Sequence, residues 1–73
     1  MSDVILSIQE INIKLTDSIN SQSLSDYFEG TAWGIIITLF RHSLINNEQF
    51  DYVEGCIRSK KLIDIDQFKS LVE

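Results

Sequence analysis

Leu44-Ile45-Asn46-Asn47-Glu48-Gln49-Phe50 is echoed 18 residues later by Leu62-Ile63-Asp64-Ile65-Asp66-Gln67-Phe68. Each copy has the layout of a helix start. Asn46 and Asp64 offer side-chain oxygens to the orphan N–H groups of a first turn. Gln49 and Gln67 stand three residues on, where a side-chain amide reaches back to the cap and closes a capping box. Ile45 and Ile63 precede the caps and Phe50 and Phe68 follow four residues after them, the two positions of a hydrophobic staple. Glu48 and Asp66 fall in first turns, where the helix dipole favours negative charge, and Arg58, Lys60 and Lys61 fall at the opposite end of the first helix. The pattern predicts helices over about 47–60 and 65–72. Two copies are too few for a solenoid, which needs three or more.

Upstream, Ser23-Leu24-Ser25-Asp26 supplies a further helix start, and Trp33, Ile36, Ile37, Phe40 and Leu44 follow with helical spacing. A helix over about 25–44 is expected. Gly30 and Gly34 each cost about 1 kcal/mol relative to alanine inside a helix. Gly30 is therefore expected to mark a break or weak turn, with Thr31 as a possible new cap, and Gly34 a place where another element packs closely. In the N-terminal stretch, Val4, Ile8, Ile11, Leu15 and Ile19 fit a helix face, while Val4/Leu6/Ile8 and Ile11/Ile13/Leu15 also alternate as a strand would. A lone strand leaves its backbone groups unpaired, so the helical alternative is preferred. With a linker near 20–23, the expectation is one all-α domain over residues 1–73: a compact bundle of about four helices at about 3–19, 25–44, 47–60 and 65–72.

Composition fits this picture. The chain has 73 residues, of which 44% are hydrophobic and 23% charged, with no proline and three glycines, which argues against disorder. Its single cysteine, Cys56, excludes an intrachain disulfide framework, and its single histidine, His42, a multi-histidine metal site. The longest apolar stretch, residues 32–40, is far short of the about 20 residues of a membrane-spanning helix. Met1-Ser2-Asp3 has no basic leader character. The expected location is the cytoplasm, with no membrane partner.

No enzyme motif is present. Gly30-Thr31-Ala32-Trp33-Gly34 lacks the Gly-Lys-Ser/Thr ending of a phosphate loop, and there is no Gly-x-Ser-x-Gly nucleophile elbow. Cys56 is expected to be a small core residue, and His42 a cation at a helix C-terminus. Asp64 and Asp66 are explained by capping, and Glu48 and Asp51 by an exposed turn. A calcium loop needs more oxygen ligands at regular spacing, with a glycine between them. No catalytic residue, cofactor or metal is expected.

Charge is the more informative feature. The net charge is −5, and residues 1–30 carry −4 of it; no positive side chain occurs between Lys14 and Arg41. This balance repels phosphate backbones, so no direct nucleic-acid contact is expected, and it suits a basic protein partner. Asp26 and Glu29 at the start of the second helix, with Glu48, Asp51 and Glu54 along the third, form one face if those helices are neighbours. Aromatic residues lie among them. Phe50 and Trp33 are expected in the core, leaving Tyr27 and Tyr52 as the exposed contacts, since tyrosines anchor many charged interfaces. The candidate partner-binding set is Asp26, Tyr27, Glu29, Asp51, Tyr52 and Glu54.

Tyr27-Phe28-Glu29-Gly30-Thr31-Ala32-Trp33-Gly34-Ile35-Ile36-Ile37, followed by Leu39-Phe40 and Leu44, is similar to the central helix of small bacterial immunity proteins of the Maf type and of contact-dependent growth inhibition systems. Trp33-Gly34 matches the family's aromatic-Gly pair, and Ile45-Asn46-Asn47-Glu48-Gln49-Phe50 its next helix start. The resemblance spans roughly residues 24–62, and departs from the family at Ala32 and Ile37-Thr38, where acids often stand. It implies an all-α, non-enzymatic protein that binds and neutralises the toxic C-terminal domain, commonly a nuclease, of a cognate effector. Two rivals stand beside it: a small helical regulator or adaptor, and a self-associating module seamed along the Ile-rich first helix, so monomer and homodimer both stay open. A DNA-binding helix-turn-helix is disfavoured, because residues 65–73 offer only Lys69 as a base against Asp66 and Glu73.

Overall fold

The computed structural model describes residues 2–21 and 23–71, which form four helices: α1 Ser2–Asn20, α2 Ser25–Arg41, α3 Asn47–Ser59 and α4 Ile65–Ser70. The expected all-α architecture is present, and the stretch that also alternates like a strand is helical throughout. Residue 72, the expected end of α4, lies outside the described residues, as do Met1, Gln22 and Glu73. The radius of gyration is 11.5 Å.

On α1, Val4, Ile8, Ile11 and Leu15 are buried at steps of three and four, the period that keeps side chains on one helix face. Ile19, expected to continue that face, is instead 52% exposed. Ser18 takes its place beneath the start of α2, where its hydroxyl meets the Ser25 Oγ at 2.9 Å and donates to the Ser25 carbonyl at 3.2 Å. At the other end of the pair, Ser7 shares a groove with Ile35 and Thr38, so α1 and α2 run antiparallel.

α2 departs from its expected outline in four ways. It passes through Gly30 without a break, and Thr31 caps nothing: its hydroxyl donates to the Tyr27 carbonyl one turn back. Gly34 is exposed, and a Cβ there would meet nothing within 4 Å, so no element packs closely against it. No side chain caps the helix start; Leu24 holds the cap position, and the Ser25 hydroxyl is engaged with Ser18 and Lys60. The helix ends at Arg41 rather than near residue 44. Ser43 turns left-handed, with φ 58°, and lets the Ser43 and Leu44 N–H groups bond back to the Phe40 and Leu39 carbonyls, the pairing of a Schellman stop. Helical spacing correctly brought Ile36 to the core, but its buried companions are Ala32 and Leu39; Trp33 is partly buried against the core, and Ile37, Phe40 and Leu44 are exposed.

At the start of α3 the expected capping box forms completely, while Phe50, expected in the core, is half-buried. The Gln49 N–H donates to the Asn46 Oδ1 at 2.8 Å, and the Asn46 N–H donates to the Gln49 Oε1 at 3.0 Å. At α4 only half of the box forms. The Asp64 Oδ1 accepts from the Asp66 and Gln67 N–H groups, but Gln67 does not reach back; the Asp64 N–H donates to the Tyr52 hydroxyl at 3.1 Å. Tyr52 of α3 thus takes the place that Gln67 leaves, beside a completely buried Phe68.

Polar side chains fix that last segment. The Asn12 amide both accepts from the Ile63 N–H at 2.7 Å and donates to the Ile63 carbonyl at 3.0 Å, as a neighbouring backbone would. Asn46 donates its side-chain N–H to the Leu71 carbonyl at 2.9 Å, and the buried Gln49 lies 3.4 Å from the Phe68 carbonyl. Ile8, Ile11, Leu15, Ile36, Val53, Ile57 and Phe68 form the fully buried centre between these clamps.

Candidate partner-binding surface

The first two turns of α2 present Asp26, Tyr27 and Glu29. Tyr27 is 67% exposed, more than any other large hydrophobic residue described, and its ring stands edge-on to Phe28 with centroids 5.4 Å apart. Asp26 is exposed and Glu29 half-buried. Among the described residues the ion pairs are Lys14–Glu10 and Arg58–Glu54, each at 3.6 Å, so Asp26 and Glu29 both keep charges that no cation neutralises by contact.

α3 runs antiparallel to α2. Phe40 stacks obliquely on Phe50 at 4.7 Å near the connecting turn, and the Arg58 guanidinium lies 5.9 Å from the Trp33 ring centre further along. That alignment sets Glu54 level with the middle of α2, so Glu29 is displaced from it along the axis by about 10 Å or more at 1.5 Å per residue. The six candidate residues therefore fall into two groups, Asp26/Tyr27/Glu29 and Asp51/Tyr52/Glu54, rather than one acidic face. Cations stand between them. Arg58 bonds Glu54 while covering Trp33, and Lys60 donates from its Nζ to the Ser25 Oγ at 2.7 Å, beside a groove of about 530 Å³ lined by Ser18, Ile19, Ser25 and Lys60.

The second group is less available. Asp51 is exposed, but Glu54 is half-buried and engaged with Arg58. Tyr52, expected as an exposed contact, is half-buried against the core, with its hydroxyl occupied by the Asp64 N–H. Burial raises the Tyr52 phenol above its ordinary value of 10.0, against the lowering effect of the Asp64 bond. Burial likewise raises the Cys56 thiol above 9.0, opposed by the nearby Tyr52 hydroxyl and by the charge of Lys61. Cys56 is a buried core residue, as expected.

Residues absent from the sequence-based set now join the surface. Arg58 was legible as the i+4 partner of Glu54. Lys60 was not, because its approach to Ser25 depends on the left-handed turn, φ 55°, that ends α3. His42 is exposed at the C-terminal cap of α2. Among the described residues, no three His, Cys, Asp or Glu side chains converge as a metal site would require, and no helix is long and apolar enough to cross a membrane. Comparison with family profiles, with curated proteins and with solved structures found no match to this chain.

Proposed function

We propose that this chain is an immunity protein: a cytoplasmic, non-enzymatic inhibitor, without cofactor, that binds and neutralises a basic, nuclease-type toxin domain of a bacterial effector. The observation that carries this reading is Tyr27, 67% exposed in the first turns of α2, with Asp26 and Glu29 in the same turns and, among the described residues, in no ion pair. An exposed aromatic ring near free acids supplies both the anchor and the steering charge of a protein interface. Asp51 and Glu54 extend the negative field, with Tyr52 behind them. The net charge of −5 speeds capture of a cationic domain, which matters when free toxin is lethal. The likeness of residues 24–62 to Maf-type and contact-dependent inhibition immunity proteins supports the same reading.

The test is protection and binding together. The protein is co-expressed with the C-terminal toxin domain of any effector found in its gene neighbourhood, and affinity is measured by calorimetry at two salt concentrations. Cells survive, and the paired change Asp26→Lys with Glu29→Lys weakens binding by at least about tenfold, some 1.4 kcal/mol. Failure to protect, with no heat of binding, overturns the reading. Protection that is indifferent to the charge reversal moves the interface away from the start of α2.

A further inference from the structure

Among the described residues, no other element covers the outer face of α2. Tyr27, Gly30, Gly34, Ile37, Thr38 and Arg41 recur along it at helical spacing, and all are exposed. The polar groups on and beside this face are turned inward. Thr38 donates its hydroxyl to the Gly34 carbonyl at 2.8 Å, Thr31 to Tyr27 at 3.0 Å, and Ser7 of α1 to Asp3 at 3.1 Å. With their hydroxyls engaged in their own helices, these residues and Ile35 and Leu39 line an apolar groove of about 580 Å³ beside Gly34. No charge lies between Glu29 and Arg41. The two ends of the face are opposite in character: Asp26 and the exposed Tyr27 ring at one, Arg41 at the other.

We propose that this face pairs with the same face of a second copy of the chain, the two α2 helices antiparallel and crossing at Gly34. Gly34 is midway between Tyr27 and Arg41, so a two-fold axis there sets Arg41 of each copy against Asp26 and Tyr27 of the other. Each end then gains an ion pair and a guanidinium over a tyrosine ring. Absence of a side chain at the crossing lets the backbones approach. Charge order selects the occupant. A uniformly basic partner would satisfy Asp26 and repel Arg41, and an acidic one would do the reverse. A surface with the same charges in reversed order satisfies both, and this helix is such a surface, the self-complementarity that a two-fold interface demands. The face is smaller than the about 20–30 residues a side of a standard interface, so the association is weak. This pairing engages Asp26 and Tyr27, so a second copy and a toxin docked at the start of α2 would compete for them.

Sedimentation equilibrium of the full chain tests it, between roughly 10 µM and 1 mM at about 0.15 M salt, where a screening length near 8 Å damps the net repulsion between copies. The mass is expected to rise from monomer towards dimer and no further. Gly34→Leu has open space in the monomer and should leave the thermal midpoint undiminished while weakening self-association more than about tenfold. Arg41→Asp should weaken it as well, and Asp26→Arg combined with Arg41→Asp should restore it. A wild type that stays monomeric to the highest concentration overturns the inference, as does self-association that Gly34→Leu leaves intact. Because Gly34 is outside the toxin-binding set, retained toxin protection in Gly34→Leu separates the fate of this proposal from that of the immunity reading.

Discussion

At the scale of single residues, the most consequential side chain is one with no catalytic chemistry. Asn12 sits on α1 between Ile11 and Ile13 and supplies both hydrogen bonds that the Ile63 backbone requires. Ile63 is 4% exposed, so water has little access to replace them. Removing one partner of a buried polar group costs about 1–3 kcal/mol. Asn12→Ala is therefore expected to lower the unfolding free energy by that amount, measured by urea denaturation, whereas the exposed Asn47→Ala should change it by less than about 0.5 kcal/mol. A fall in Asn12→Ala no larger than that of Asn47→Ala would show that the bonds are dispensable.

At the scale of elements, helix ends divide into those the sequence announces and those it hides. The capping box of α3 is legible because its two partners stand three residues apart and each meets the other's backbone within one turn. The start of α4 is only half legible: Gln67 is at the right spacing, but Tyr52, from another helix, takes the reciprocal position. The end of α2 is hidden, since nothing about Ser43 marks it for a left-handed conformation that serine disfavours. Among the described residues, two non-glycine residues adopt that conformation, Ser43 and Lys60. Ser43→Gly should raise stability by about 0.5–1 kcal/mol, the left-handed strain relieved less the extra entropy that glycine loses on folding. Lys60→Gly should gain less, because it also loses the contact from Nζ to Ser25. Equal gains in parallel thermal melts would show that this contact contributes nothing.

Across the whole molecule, the all-α architecture was readable because apolar period and cap positions agree, while the arrangement of the partner surface was not. Asp26, Tyr27 and Glu29 could be chosen from charge and aromatic content alone. Their separation from Asp51 and Glu54 depends on how α2 and α3 align, which no local pattern encodes. The burial of Tyr52 likewise follows from where α4 docks. Burial also gives the fold a pH dependence on the alkaline side. Cys56 and Tyr52 both hold their protons more tightly when folded, chiefly through burial. Above about pH 9 the unfolded chain releases the thiol proton first, so stability, intact below that point, is lost as pH rises towards the folded value. Thermal midpoints should fall between pH 8 and pH 10.5, and Cys56→Ala should flatten the decline. An equally steep decline in that variant would assign the effect to other groups.

The bonds between Asn12 and Ile63 also have a place in time. They join residues 51 apart, whereas α1 meets α2, α2 meets α3 and α3 meets α4 as neighbours along the chain. Contacts between neighbours form quickly, while a distant closure waits for the elements it ties together. The clasp at Asn12 is thus expected to close late on the folding path. Its strength governs how long the native state survives rather than how fast it is reached.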